Sequence, residues 1–86
     1  MPHTFVNYLG NIYNLSKIIN IVNSITDIYI LKQMGDLTYL KILEDNKYHE
    51  NEKGRPYRIY LYTILNIIKD RINSIDPYYL NKVGCA

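Results

Sequence analysis

Apolar residues recur at three- and four-residue intervals along most of the chain, and the breaks between runs mark out its elements. In HTFVNYLGNIYN the apolar groups Phe5, Val6, Tyr8, Leu9, Ile12 and Tyr13 are interrupted by Gly10, which predicts a short leading helix or turn. Leu15, Ile18, Ile19, Ile21 and Val22 predict a second helix. Asn14 or Ser16 is its expected N-cap, because a side-chain oxygen there accepts from an amide that has no carbonyl partner in the first turn. Asn23 and Ser24 are the expected stop. A third helix carries the stripe Ile28, Leu31 and Met34. Ser24 or Thr26 caps it, Asp27 suits the positive end of its dipole, and Gly35 stands where a C′ glycine ends a helix. A fourth helix is expected over 36–46, capped by Asp36. Leu37, Leu40 and Leu43 lie on one side of it, and Thr38, Lys41 and Asp45 on the other.

The pattern then changes. HENEKGRP is polar, charged and contains Gly54 and Pro56, the composition of a turn. PYRIYLYT alternates: Tyr57, Ile59 and Leu61 fall on one face, with Arg58, Tyr60 and Tyr62 on the other. Aromatic and β-branched residues at period two predict a strand. TILNIIKDRINSI is the clearest helix, about 63–75, with Ile64, Leu65, Ile67, Ile68, Ile72 and Ile75 spanning an arc of roughly 160° that Arg71 enters. Asp76-Pro77 opens a short tail helix, 77–83. The expected fold class is therefore mainly α with a small β-hairpin (α+β), in one domain spanning 1–86.

Size and composition bound this reading without changing it. A chain of 86 residues builds one small core, with stability on the order of 5 kcal/mol. Its 48% hydrophobic content is that of a globular domain, so disorder is not expected. The ten tyrosines accompany abundant Ile and Asn, a skew that AT-rich codons produce, so they do not by themselves argue for base stacking. A net charge of +2 is too small to demand a nucleic-acid partner. The single cysteine, Cys85, has no internal partner, which fits a reducing compartment. No 18-residue apolar run predicts a membrane span, and MPHTFVNYLG has no basic region ahead of an apolar stretch. The expected location is cytoplasmic, whether nucleoid-associated or, for a viral protein, in the host cytoplasm.

No catalytic or metal constellation is legible. Ser16 and Ser24 have no His–Asp grouping around them, and His3 and His49 are isolated. HENE, at 49–52, offers His49, Glu50 and Glu52 in a loop without the spacing of a dedicated metal site. No glycine-rich phosphate loop is present. The expectation is a protein that is not an enzyme and carries no cofactor.

One segment resembles a known family. LKILEDNKYHENEKGRPYRIYLYT, at 40–63, is similar to the end of the third helix and the wing of winged helix-turn-helix DNA-binding domains, the type found in small transcription regulators. LED matches the helix end, NKYHE a first wing strand, NEKGRP the wing tip and YRIYLYT the returning strand. The resemblance implies a winged-helix-like helical core, a two-stranded wing and a C-terminal helix. It also implies contact with double-stranded DNA. Lys53, Arg55 and Arg58 would neutralise phosphates at the wing, while Thr38, Tyr39, Lys41 and Lys47 would approach the major groove from the preceding helix. In many small regulators of this family the last helix pairs two subunits. On that basis Ile64, Ile67, Ile68, Arg71, Ile72, Ile75 and Tyr79 form the expected homodimer interface. A second function stands beside DNA binding: a protein-interaction module, either an accessory subunit or a viral inhibitor of a host complex. The low net charge, the acids Asp36, Glu44 and Asp45 around Lys41, and the many tyrosines suit a protein partner.

Overall fold

The structure, a computed structural model, describes residues 2–52 and 54–79, with the side chains of Pro2 and His3 left out. The described elements are all helical: α1 (Pro2–Leu9), a single 3₁₀ turn (Ile12–Asn14), α2 (Leu15–Ser24), α3 (Ile28–Tyr48) and α4 (Pro56–Ile75). No strand occurs among the described residues, so the expected β-hairpin and the wing built on it are absent. Lys53, residues 80–83 of the expected tail helix, and Cys85 lie outside the described residues.

Two expected boundaries disappear, and each has a physical reason. Gly35 does not end a helix; α3 runs through it for 21 residues. Residues on both sides of Gly35 continue one stripe, Leu31, Met34, Thr38, Ile42 and Asp45, at three- and four-residue steps, and all five are buried. An intact helix keeps that stripe in register, so Gly35 is tolerated at the usual cost of an interior glycine. The cap of α3 is neither Ser24 nor Thr26 but Asp27, whose carboxylate accepts a hydrogen bond from the Tyr29 amide at 2.9 Å, at the dipole end where an acid was expected.

The predicted strand over 57–62 is the first part of α4. Pro56 occupies the first helical turn, where its missing N–H is no loss. Tyr60, Leu61, Ile64, Ile68 and Ile72 form one buried stripe down this helix, leaving Ile59 and Tyr62 exposed. Helical periodicity thus extends back from the clear 63–75 helix and overrides the local β-preference of Tyr and Ile. The chain reverses between α3 and α4 in a short turn where Gly54, at φ 79°, takes the left-handed conformation that glycine adopts without strain.

Helices α3 and α4 pack along each other as an antiparallel hairpin, and α1 with α2 covers one side of it. Phe5, Leu9, Ile18 and Val22 meet Leu31, Ile42, Leu61 and Ile64 in a shared core, all at 0–1% exposure. Two polar ties lock this layer down. The Tyr60 hydroxyl donates to the Tyr8 carbonyl at 3.0 Å, and Arg71 Nε donates to the Ile25 carbonyl, also at 3.0 Å. The molecule measures 36 × 26 × 17 Å, a slab about two helices thick. No described helix is long and apolar enough to cross a membrane.

Candidate functional site

Two features stand out: a charged clamp at one end of the α3–α4 hairpin, and an apolar groove along its uncovered side. The clamp centres on Asp45, in the last turns of α3, which is 6% exposed. Arg55, just before α4, reaches Asp45 Oδ1 with Nη2 at 3.2 Å and Oδ2 with Nε at 3.3 Å. Arg58, in the first turn of α4, donates from Nε to Oδ2 at 3.1 Å. Its Nη2 donates to the His49 carbonyl at 2.8 Å and to the Asp45 carbonyl at 3.4 Å. Arg55 also approaches Glu52 at 3.7 Å, and Glu52 pairs with His49 Nδ1. Burial pushes the Asp45 carboxyl up, but the hydrogen bonds and charges of Arg55 and Arg58 outweigh it, holding the group below its ordinary value. Burial and then the charges of Asp45 and Glu44 push the neighbouring Tyr57 hydroxyl up.

This clamp uses the arginines that the wing would have presented to phosphate. Both side chains fold inward onto one carboxylate and close the turn between α3 and α4, so they add little outward positive field. The remaining residues expected at DNA are dispersed. Thr38 is fully buried, and its hydroxyl donates to the Met34 carbonyl one turn back at 2.8 Å. Lys41 pairs with Glu44 at 3.9 Å, Lys47 sits over the Tyr48 ring at 5.7 Å, and Tyr39 is half exposed. Lys53 lies outside the described residues.

The residues expected at a dimer interface are largely internal. Ile64, Ile68 and Ile72 are in the core, Ile67 and Tyr79 pack against it, and Arg71 is tied to Ile25. Ile75, 36% exposed, is at the surface.

The groove lies on the side of the hairpin away from α1 and α2. Leu31, Gly35, Leu65, Ile68 and Ile72 form its base, Tyr39 and Tyr79 flank it, and Lys32, Asp36 and Lys69 complete its lining around about 230 Å³. Lys32 bonds Asp36 at 3.4 Å, an exposed i,i+4 pair of small strength. Besides Tyr39, which lines the groove, Leu40 and Leu43 on α3 and Tyr62 on α4 are large apolar side chains left at the surface, these four each between 45% and 59% exposed. The sequence pattern sets Leu37, Leu40 and Leu43 on one side, which as the apolar one is expected to be buried, and Thr38, Lys41 and Asp45 on the other; here Leu40 and Leu43 are exposed and Thr38 and Asp45 buried. The structure reverses those faces, because the uninterrupted α3 fixes its register from Leu31 and Met34.

Among the described residues no group of three His, Cys, Asp or Glu side chains is placed to hold a metal. Comparison with known protein families, curated proteins and solved structures finds no match to this chain.

Proposed function

We propose that the chain is a helical protein-interaction module that receives its partner on the uncovered side of the α3–α4 hairpin. The observation that carries this reading is the apolar groove flanked by half-exposed Tyr39, on the same two helices that expose Leu40, Leu43 and Tyr62. An open apolar groove with large apolar side chains exposed on the same helices marks an interaction surface more often than a domain that works alone, and aromatic side chains are the usual anchors of protein interfaces. The clamp favours the same reading, since Arg55 and Arg58 are consumed by Asp45.

Photo-crosslinking residues at Tyr39 and Tyr62, with Tyr13 as a remote exposed control, test the proposal in the source cell. Crosslinks to another protein are expected from the first two positions and not from the third. A gel shift on random-sequence duplex DNA at roughly 50 mM salt supplies the opposing test. Salt-dependent retardation of the duplex, without protein crosslinks, overturns the reading in favour of DNA binding.

A further inference from the structure

The way the chain leaves α4 is set by its sequence. A proline after Asp76 biases that residue to an extended backbone, and Asp76 takes φ −140° and ψ 97°, which stops the helix at Ile75. Its carboxylate then accepts from the Tyr78 amide at 3.0 Å, and its carbonyl from the Tyr79 amide at 3.1 Å, closing a turn. The two tyrosines that leave this turn differ. Tyr78 is 69% exposed, whereas Tyr79 is partly buried, packs against the core and lines the groove. The turn therefore sends the chain toward the open side of the hairpin.

Position and length say how far it can go. A Cβ at Gly35 would lie 3.7 Å from Ile68 Cγ2 and 3.8 Å from Leu65 Cδ1, so in this antiparallel pair Leu31 stands toward Ile72 and Tyr39 toward Leu65. Tyr79 marks the end at which α4 finishes. From Leu31 to Tyr39 the groove runs about 12 Å, two helical turns of α3. The segment after Tyr79, LNKVGCA at 80–86, lies outside the described residues. Seven residues reach about 23 Å when extended and about 10 Å as a helix, so either form is long enough to pass Gly35. The composition suits an apolar floor: Leu80 and Val83 stand three apart, and Lys82 is the one charged side chain. A segment tethered at the edge of its seat has an effective concentration on the order of millimolar. It holds the groove against any free occupant of equal intrinsic affinity present below that level.

From this geometry we infer that the groove is the seat of the chain's own segment 80–86, and that a partner gains the open side by displacing it. This assignment rests on the interaction-module reading and adds its regulation, an internal competitor for the same surface.

The test uses the full chain, isotopically labelled, with a nitroxide attached to Cys85, the single cysteine. The label is expected to broaden the amide signals of Gly35, Tyr39 and Leu65 and to spare those of Phe5 and Ile18 on the covered side. Leu80→Asp with Val83→Asp, which sets carboxylates against the apolar floor, should abolish that selective broadening while circular dichroism stays unchanged. Broadening spread evenly over the surface, broadening centred elsewhere, or indifference to the double substitution overturns the assignment. So does broadening of isotopically labelled chains by spin-labelled copies mixed with them, which makes a second copy the occupant. In the source cell the double substitution should raise crosslinking from Tyr39 to a partner by about threefold or more, because the partner then meets a vacant groove more of the time. Unchanged crosslinking overturns the competition. If selective broadening is absent while crosslinks from Tyr39 and Tyr62 still reach a protein, the internal seat falls and the module reading stands. Selective broadening with no crosslinks from either variant leaves the seat and removes the module reading.

Discussion

The covered and the open side of the α3–α4 hairpin make a controlled comparison within one small protein. Both are lined by aliphatic residues of the same two helices. On the covered side, Leu61 and Ile64 meet Phe5, Leu9 and Ile18 and are sealed at 0% exposure, and the polar groups at the border are satisfied across the layer by Tyr60 and Arg71. On the open side the same helices end in water with Tyr39, Leu43 and Tyr62. Residue type alone therefore does not distinguish core from surface; what matters is whether a second layer reaches the side chain. The covered side has to hold the fold together, so its substitutions should cost stability. Substitutions on the open side should cost binding and leave the fold nearly untouched.

The largest expected effect is on the covered side. Leu61→Ala leaves a cavity between α1, α2 and the hairpin and should destabilise by about 3–4 kcal/mol in urea unfolding. A value near zero would mean that the layers do not pack there. Asp45→Ala at the clamp comes next, at about 3 kcal/mol, because it strands Arg58, whose side chain is 11% exposed. Arg55 keeps Glu52 and solvent, which moderates the loss.

The same carboxyl gives a pH signature. Its pKa in the fold lies below the ordinary 3.8, so its stabilisation is fully present above that value and is lost as pH falls through the folded pKa. The stability difference between wild type and Asp45→Asn should be flat above about pH 5 and shrink below about pH 4. A difference that grows on acidification would contradict the clamp.

Smaller effects sharpen the contrast. Tyr60→Phe removes the hydroxyl bond to the Tyr8 carbonyl and should cost about 1 kcal/mol, or roughly 4–8 °C of melting temperature. Gly35→Ala, at the base of the open side, should stabilise by up to about 1 kcal/mol, since the helix gains and the new methyl meets only ordinary contacts. Leu43→Ser on the open surface should change stability by no more than about 0.5 kcal/mol. A loss of several kcal/mol there would show that the open side is part of the core.

How much of this was readable beforehand follows from how far each signal reaches along the chain. The helical nature of α2, the acid Asp27 at the start of α3 and the aliphatic stripe of 64–72 are local signals, and the structure has them, although the cap itself is Asp27 rather than Ser24 or Thr26. The errors came where two local signals competed with one longer one. Gly35 looks like a terminator only if the stripe is read in separate pieces; Leu31, Met34, Thr38 and Ile42 read together run straight through it. Tyr57 to Thr63 alternates, yet Tyr57, Tyr60, Leu61, Ile64 and Ile68 are also spaced as a helix, and that longer pattern governs the fold. Once α3 was broken at Gly35, its phase was lost, which put Leu40 inside and Asp45 outside. The clamp was missed for the same reason. A buried Asp45 opposite Arg55 and Arg58 becomes visible only when two helices are seen to flank the turn. The groove depends on which side α1 and α2 cover, a tertiary fact that periodicity does not encode.

The manner in which the chain closes on itself has a kinetic consequence. The α3–α4 hairpin forms across a short turn, whereas α1 and α2 attach through bonds spanning 52 and 46 residues. Loop-closure entropy makes the near contacts the cheaper ones to form first. The hairpin, closed by Asp45 and its arginines, is thus the natural nucleus, and the amino-terminal layer docks onto it late. In a transition-state map the Asp45–Arg58 pair would carry a high φ-value, and Leu61, which packs on α1 and α2, and the Tyr60–Tyr8 bond lower ones.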